Sequence, residues 1–330
     1  MASQAAGPGA VVVGAGGFIG QRLTSALSAR RVQVEAYGRG REFSRGASLA
    51  RPMRAADVIF YLASSITPAL GEAHPEWAAA DHRLFAGLLD ALARLDSPPA
   101  VVLASSGGTV YDPSRMPPYL EDSPTRATSL YAAAKLAQEA ELAERAGSVR
   151  GVILRLSNVY GPGQRTGKGQ GVLAAWLRSA ARCGPVQLIG DPEHTRDYVY
   201  IADVADCLCL LYQVMRRDGG IGQHEPLILN IGSGRGTSLA ELIEIVRAVT
   251  GLDLLIERLP ARRHDLQHVW LDCGRAERLL GWRPRTCLTD GVLAMWRELR
   301  AGDPGQVRHH RPSPPPGPIV PGHCPDARFT

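Results

Sequence analysis

Residues 10–20 have the sequence Ala10-Val-Val-Val-Gly14-Ala-Gly-Gly17-Phe-Ile-Gly20. The short apolar run is typical of a buried parallel strand, and an amphipathic stretch follows the glycines. Gly14 permits a tight turn, Gly17 lets the backbone approach a pyrophosphate, and Gly20 permits close packing of helix on sheet. The first amides and the dipole of that helix favour phosphate groups. This stretch therefore predicts a dinucleotide-binding fold.

Apolar runs and helical segments alternate along the first half of the chain. Further strands are predicted at Val32–Tyr37, Asp57–Leu62, Val101–Ala104 and Val152–Leu156, and helices at Phe18–Arg30, Trp77–Arg94 and Leu130–Arg145. This alternation predicts a parallel sheet covered by helices on both faces. The link between Tyr37 and Asp57 is short for a complete crossover, so we expect an abbreviated element there.

The predicted fold class is α/β, with a Rossmann-type doubly wound parallel sheet and a smaller α/β substrate-binding lobe. The sheet domain covers residues 10–160. The second lobe covers mainly residues 161–302 and is interwoven with the first domain, with isolated strands such as Leu227–Ile231. Residues 1–9 are predicted to be a flexible N-terminus, and the proline-rich residues 303–330 a disordered tail.

The composition limits the possible partners. The 330 residues are 45% hydrophobic and 21% charged, which is ordinary for a globular protein. The net charge of +5 is scattered, so no nucleic acid partner is expected. The six cysteines form no Cys-x-x-Cys pair, and we expect reduced thiols and no metal site. No signal-type or transmembrane run is present, so we expect a cytoplasmic protein without a membrane partner.

Tyr131-Ala-Ala-Ala-Lys135 places a phenol and an ammonium one helical turn apart. The lysine charge is expected to favour the phenolate, which would make Tyr131 a general acid/base for alcohol–ketone chemistry. Lys135 and Lys168 are the only lysines of the chain. The spacing alone is common, so this interpretation depends on a cofactor bound beside the pair.

The end of the second predicted strand distinguishes NAD from NADP. An acidic residue about 20 residues past the glycines would hold the ribose hydroxyls, whereas an arginine accepts a 2′-phosphate. The strand ends Tyr37-Gly38-Arg39-Gly40-Arg41, without a carboxylate. Arg39 therefore favours NADP(H). Glu35 leaves NAD possible if the strand ends earlier.

Several motifs together resemble the extended short-chain dehydrogenase/reductase superfamily, in its nucleotide-sugar branch. The resemblance covers residues 10 to about 300 and is closest to UDP-glucose 4-epimerase-like proteins. Val149–Arg155 and Gly281–Gly291 also resemble the 4-ketoreductases of deoxysugar pathways. Besides Gly14–Gly20 and the Tyr131/Lys135 pair, the motifs are Ala104–Tyr111, Leu154–Gly163, Thr195–Val204, Leu229–Gly234 and Leu280–Pro284.

The resemblance implies roles for individual residues. Tyr131 would be the acid/base, and Lys135 would tune it while bonding the nicotinamide ribose. Paired helices at Trp77–Arg94 and Leu130–Arg145 would form a homodimer interface. With Arg39 included, the expected cofactor contacts are Gly14, Gly16, Gly17, Phe18, Ile19, Gly20, Arg39, Leu62, Ala63 and Lys135. The expected contacts to the diphosphate of a nucleotide-sugar substrate are Asn158, Arg196 and Arg262.

The chain departs from the family pattern at the third catalytic position. Where the family has a serine or threonine that hydrogen-bonds the reacting oxygen, this chain has Gly107. Ser106 is the favoured substitute and Thr109 the second candidate. The Asp-Glu pair of the family's dehydratases is absent beside Thr109, which argues against dehydration.

Two reactions at C4 of a nucleotide-activated hexose remain. In the first, NADPH reduces a 4-keto-6-deoxy sugar and Tyr131 protonates the new alkoxide. In the second, tightly bound NAD oxidises C4 and returns the hydride to the other face, which is epimerisation. Arg39 favours the first reaction, and the motifs as a whole favour the second. Because the residue at the strand end is the more direct physical evidence, net reduction is the predicted reaction and epimerisation the alternative. A dinucleotide-binding protein without turnover is a third interpretation, encouraged by Gly107.

Overall fold

The computed structural model of the protein describes residues 7–45, 48–165, 171–217, 219, 221–261 and 266–302. The predicted tail at 303–330, residues 1–6 and Arg262 lie outside the described residues. The strands are β1 (Ala10–Val13), β2 (Val34–Tyr37), β3 (Ser44–Arg45), β4 (Ser48–Leu49), β5 (Val58–Tyr61), β6 (Ala100–Ser106), β7 (Gly151–Leu156), β8 (Asn158–Tyr160), β9 (Val186–Ile189), β10 (Thr195–Arg196), β11 (Tyr198–Tyr200), β12 (Leu227–Ile231), β13 (Thr237–Ser238), β14 (Ile256–Leu259) and β15 (His268–Val269). The helices are α1 (Phe18–Ala29), α2 (Arg51–Ala55), α3 (Pro68–Ala73), α4 (Pro75–Leu92), α5 (Leu130–Glu144), α6 (Val172–Ala181), α7 (Ile201–Arg217), α8 (Leu239–Thr250), α9 (Gly274–Leu280) and α10 (Leu288–Gly302).

The main sheet has six strands in the order β12-β7-β6-β5-β1-β2, and every neighbouring pair is parallel. All four residues of β1 are buried, because β1 lies between β2 and β5 and is covered on both faces. The predicted Rossmann-type doubly wound sheet is confirmed. The described residues between β2 and β5 form a small hairpin and the five-residue helix α2, the abbreviated crossover expected there.

Alternate residues of the strands face two separate hydrophobic cores, as the period of a strand requires. Val12 and Phe60 pack with α1 and α7 on one face, in a cluster that includes Leu23. Val11 and Ile59 pack with α4 and α5 on the other. Both faces of the sheet are therefore filled by helices.

The second half of the chain contributes to both lobes. Strand β12 is an edge strand of the main sheet, and α7 packs against α1. Helices α6, α8 and α10 enclose a third core around Trp176, Leu242 and Trp296. Beside this core, β9 pairs with β14, and β10 lies between β13 and β15.

The described part of the predicted flexible N-terminus packs against the fold. Pro8 is buried, and the Gly9 carbonyl accepts hydrogen bonds from the amides of Asp57 and Val58 at 3.2 and 3.3 Å. The flexibility of residues 1–9 stays a prediction. In the described ranges no helix has both the length and the apolar character of a membrane span.

Candidate active site

A cleft of about 1240 Å³ opens at the carboxyl ends of β1, β5, β6 and β7 and continues into the second lobe. In doubly wound sheets, ligands bind outside the carboxyl ends of the strands. The cleft brings together most of the predicted site residues. The predicted residues that line it are Gly14, Gly17, Phe18, Ile19, Gly20, Leu62, Ser106, Thr109, Tyr131, Lys135, Asn158 and Arg196.

The glycine turn has no room for side chains at two positions. Gly14 has φ +91°, and a Cβ there would lie 2.7 Å from the Ala63 nitrogen. A Cβ on Gly20 would lie 2.2 Å from the Gly14 oxygen. Gly17 is the N-cap residue of α1, and neither a side-chain cap nor an acidic residue occupies the first turn of this helix. The free amides and the dipole of α1 therefore suit a dinucleotide pyrophosphate.

Three predicted cofactor contacts lie beside the cleft rather than in its lining: Gly16, Ala63 and Arg39. Position 38 faces the turn, since a Cβ on Gly38 would lie 3.9 Å from the Gly16 nitrogen. Arg39 follows it, is exposed, and makes no ion pair or hydrogen bond to the described residues.

The Glu35 carboxylate, which would allow NAD as the cofactor, is already paired. Glu35 on β2 forms an ion pair with Arg41, whose guanidinium also donates to the Ala36 carbonyl at 2.8 Å. The same guanidinium carbon lies 4.5 Å from the centroid of the Tyr37 ring. Position 38 has no side chain, and the carboxylate of Glu35 is paired with Arg41. The end of β2 therefore offers no unpaired carboxylate.

Tyr131 is the second residue of α5 and is half-buried in the cleft wall. Ser129 caps this helix by accepting from the Ala132 amide at 3.1 Å. Burial raises the pKa of Tyr131, and a hydrogen bond from the Ser106 hydroxyl opposes that rise. The predicted lowering of this pKa by Lys135 is wrong for the protein alone. The lysine Nζ lies 5.9 Å from the ring centroid and bonds elsewhere.

Lys135 is buried one turn further along α5. Its Nζ donates to the Ala104 carbonyl at 3.1 Å and to the Gln138 Oε1 at 3.3 Å. Burial lowers the pKa of Lys135 to about 8, while the carboxylates of Asp81 and Glu139 act in the opposite direction. The ammonium is therefore held at the base of the cleft, within one turn of Tyr131.

The structure explains why position 107 carries no side chain. A Cβ on Gly107 would lie 2.6 Å from the Leu271 Cδ1 and 2.9 Å from the Arg155 carbonyl oxygen. Ser106 and Thr109, on either side, both reach the cleft. The Thr109 hydroxyl is buried without a hydrogen-bond partner in the described residues. Two hydroxyl-bearing residues thus line the cleft of Tyr131, although the position that carries the hydroxyl in the family is glycine here.

Restoring the family's hydroxyl by Gly107→Ser should destabilise the protein by about 1–3 kcal/mol, because the new Cβ overlaps packed backbone and side-chain atoms. Gly108→Ala is the matched control, since the nearest atom to a Cβ there, the Asn158 Oδ1, is 4.0 Å away. Urea unfolding of both variants measures the difference. Equal midpoints for the two variants would contradict the steric explanation.

Asn158 lies on β8, which pairs with β11, and Arg196 lies on β10, in the separate sheet with β13 and β15. The backbone amide of Asn158 donates to the Asp197 carbonyl at 3.0 Å. The Arg196 Nη1 donates to the carbonyls of Thr195 at 2.8 Å and Gln267 at 3.3 Å. Both side chains line the cleft away from the glycine turn.

Asp197 joins these strands to the main sheet and was not predicted. Its buried carboxylate accepts from the amide and hydroxyl of Ser233 at 2.7 and 2.8 Å. It also accepts from the amides of Gly234 at 3.2 Å and Leu271 at 3.3 Å. Burial raises the pKa of Asp197, and these hydrogen bonds oppose the rise. The carboxylate therefore fixes Arg196 relative to the loop after β12.

The far end of the cleft contains three further residues that sequence reasoning missed: Trp176, Gln187 and His194. The Trp176 Nε1 donates to the Gln187 carbonyl at 2.8 Å, which ties α6 to β9. An aromatic ring beside amide and imidazole groups is suited to a planar polar ligand. Of these three residues, only His194 adjoins a motif recognised in the sequence, Thr195–Val204.

Residues 10–232, more than half of the chain, match the model of the NAD dependent epimerase/dehydratase family, and the chain belongs to this family. The predicted membership of the extended short-chain dehydrogenase/reductases, in their nucleotide-sugar branch, is thereby confirmed.

Two relatives and one solved structure illustrate the similarity. The dTDP-4-dehydro-6-deoxyglucose reductase of Escherichia coli is 34% identical over 203 residues, which are 61% of each chain and so less than two thirds of that protein. The UDP-glucose 4-epimerase of Mycolicibacterium smegmatis is 32% identical over 72% of this chain and 74% of its own. The structure of MoeE5 in complex with UDP-glucose and NAD has a TM-score of 0.75 at 26% identity, covering 89% of this chain and 99% of that one.

Proposed function

We propose that this protein reduces the C4 ketone of a nucleotide-activated 4-keto-6-deoxyhexose with NADPH. One observation carries the choice of net reduction: the end of β2 offers no unpaired carboxylate and presents the exposed Arg39. An arginine there suits the 2′-phosphate of NADPH, whereas NAD requires an acceptor for the ribose hydroxyls. The similarity to a reductase named for a dTDP-4-dehydro-6-deoxy sugar supports the same substrate class.

The cleft supplies the groups that this reaction needs. Bound NADPH would supply the hydride. Tyr131 donates its proton to the oxygen at C4, and its raised pKa keeps that proton available at neutral pH. The Ser106 hydroxyl, bonded to Tyr131, orients the phenol, with Thr109 as the second donor on the cleft wall. Lys135 holds a positive charge beside the expected nicotinamide ribose.

The substrate's diphosphate would lie toward the second lobe. Arg196 supplies a planar guanidinium to the phosphate oxygens, and Asn158 supplies an amide. Arg262, outside the described residues, is proposed for the same role on the basis of its motif. This arrangement agrees with the named ligands of MoeE5, UDP-glucose and NAD.

The test uses purified protein, NADPH and dTDP-4-keto-6-deoxyglucose, with absorbance of the reduced nicotinamide as the readout. We expect stoichiometric NADPH oxidation with a preference for NADPH over NADH. Arg39→Ala should raise the KM for NADPH about tenfold or more, since a charge-assisted hydrogen bond is lost, and leave that for NADH unchanged. Arg54→Ala, a surface arginine of α2, is the control. A variant with unaltered NADPH preference would remove the argument for net reduction.

Epimerisation is the second candidate, because the match to the M. smegmatis UDP-glucose 4-epimerase spans more of the chain than the match to the reductase. It predicts NAD bound to the protein as purified and interconversion of UDP-glucose and UDP-galactose without added cofactor. Absence of both reactions from a protein that binds cofactor would favour a dinucleotide-binding protein without turnover.

Turnover in the reducing direction should fall as pH rises through about 8. Burial lowers the pKa of Lys135 to about 8, so the charge beside the cofactor is lost above that pH, while Tyr131 still carries its proton. The carboxylates of Asp81 and Glu139 favour the ammonium and so raise the pH at which turnover falls. The measurement is kcat at saturating substrates from mildly acidic to strongly alkaline pH. A constant kcat far above pH 8 would contradict it.

We further propose a homodimer through α4 and α5, which pack side by side. Leu84 on α4 is 47% exposed and Leu130 at the start of α5 is 42% exposed. Exposed leucines on paired helices are typical of a helical interface. Light scattering coupled to gel filtration should give twice the 35.3 kDa chain mass, and Leu84→Glu should shift it toward the monomer.

A further inference from the structure

Helix α3 places a carboxylate at the end of the cleft that holds Tyr131. The Glu72 Oε1 accepts a hydrogen bond from the Leu130 amide at 2.8 Å. A Cβ on Gly71 would lie only 3.2 Å from the Tyr131 nitrogen, so α3 sits directly on the start of α5. Glu72 and Tyr131 line the same cleft. The carboxylate is therefore a neighbour of the proposed proton donor.

Glu72 also occupies a place where a ligand anion could bind. The N-terminus of a helix ordinarily attracts anions through its free amides and its dipole. At the start of α5, Glu72 takes the Leu130 amide, and Ser129 takes the Ala132 amide at 3.1 Å. An acidic group of a substrate would find these donors occupied and a negative charge beside them.

The other charges of the cleft do not compensate for Glu72. Within the described residues that line the cleft, Glu72 is the sole carboxylate, and Lys135 and Arg196 are the sole lysine and arginine. The Lys135 ammonium is bonded to Ala104 and Gln138 at the base of the cleft. Arg196 lies on β10, in the second lobe. The rest of the lining around α3 is uncharged, from Ile66, Thr67, Pro68 and Ala69.

We propose that Glu72 restricts this site to neutral hexoses and excludes sugars with a carboxylate on the ring, such as the C6 carboxylate of a uronic acid. The proposal rests on the proposed function, which places the sugar ring at Tyr131. It holds for net reduction and for epimerisation alike, because the selection acts on binding. This selection makes Glu72 a specificity-determining residue.

The test compares a pair of ligands that differ only at C6. UDP and dTDP are first titrated into the NADP⁺-loaded protein by calorimetry, and the glucose and glucuronic acid conjugates of the tighter-binding nucleotide are then compared. Wild-type protein should bind the glucuronic acid conjugate at least about tenfold more weakly than the glucose conjugate, as expected for two like charges in partly screened contact. Glu72→Gln keeps an acceptor for the Leu130 amide and should bring the two Kd values to within about twofold.

The control is Glu76→Gln, which removes an exposed charge from the first turn of α4, outside the cleft lining. This control should retain the wild-type discrimination. Equal binding of both conjugates by wild-type protein, or discrimination that persists in Glu72→Gln, would overturn the role of Glu72 and leave the proposed function intact. If neither nucleotide binds and neither conjugate binds, the proposed function itself would be overturned.

Discussion

Tyr131→Phe should lower kcat by about 10²- to 10⁴-fold, the usual contribution of a general acid. The variant removes one oxygen and keeps the aromatic ring in the first turn of α5, so the fold and the glycine turn should not change. NADPH should still bind with the wild-type Kd, because the phenol is expected to act on the substrate oxygen. Stopped-flow measurement of a single turnover, with cofactor affinity measured by fluorescence, separates the two effects.

The matched control for this variant is Tyr212→Phe. Tyr212 lies on α7, outside the cleft lining, and its hydroxyl donates to the Asp57 carboxylate at 3.4 Å. Removing that hydroxyl deletes the same atom without touching the site, and turnover should stay at the wild-type value. A Tyr131→Phe protein that binds cofactor and retains full turnover would contradict the assignment of Tyr131 as proton donor.

The parts of this fold that sequence reasoning predicted are those with strong local patterns. Strand β1 and the distant strand β12 were predicted with their observed bounds, because both are short, mainly apolar segments bounded by turn residues. The glycine turn was predicted because its chemistry depends on missing side chains, which a sequence displays directly. The helix of Tyr131 begins where Ser129 caps it, a signal also contained in the sequence.

The parts that escaped prediction depend on contacts between distant segments. Strands β10, β13 and β15 have two residues each, too few to show any periodicity, yet β10 carries Arg196. The side chain of Glu72 resembles any exposed acidic residue until α3 is seen to rest on α5. The direction of the Tyr131 pKa shift depends on how deeply the cleft wall buries the phenol, which spacing along a helix does not contain.

A buried ion pair behind the site was also missed. Arg155 on β7 donates to the Glu139 carboxylate on α5 at 2.7 Å, and the two residues are only 4% and 6% exposed. Glu139 accepts in addition from the Ser105 hydroxyl, and the Arg155 Nη1 donates to the Glu121 carbonyl at 3.0 Å. The Glu139 carboxylate of this cluster also favours the charged form of Lys135. The cluster therefore connects the stability of the sheet to the charge in the cleft.

Arg155→Met should destabilise the protein by about 3–5 kcal/mol, because it leaves the Glu139 carboxylate buried without a cation. Adding Glu139→Gln removes that charge and keeps an acceptor for Ser105, so the double variant should recover at least half of the loss. Urea unfolding of the two single variants and the double variant gives the coupling free energy. Strictly additive losses, or a cost below about 1 kcal/mol for Arg155→Met, would show that Glu139 does not depend on this guanidinium.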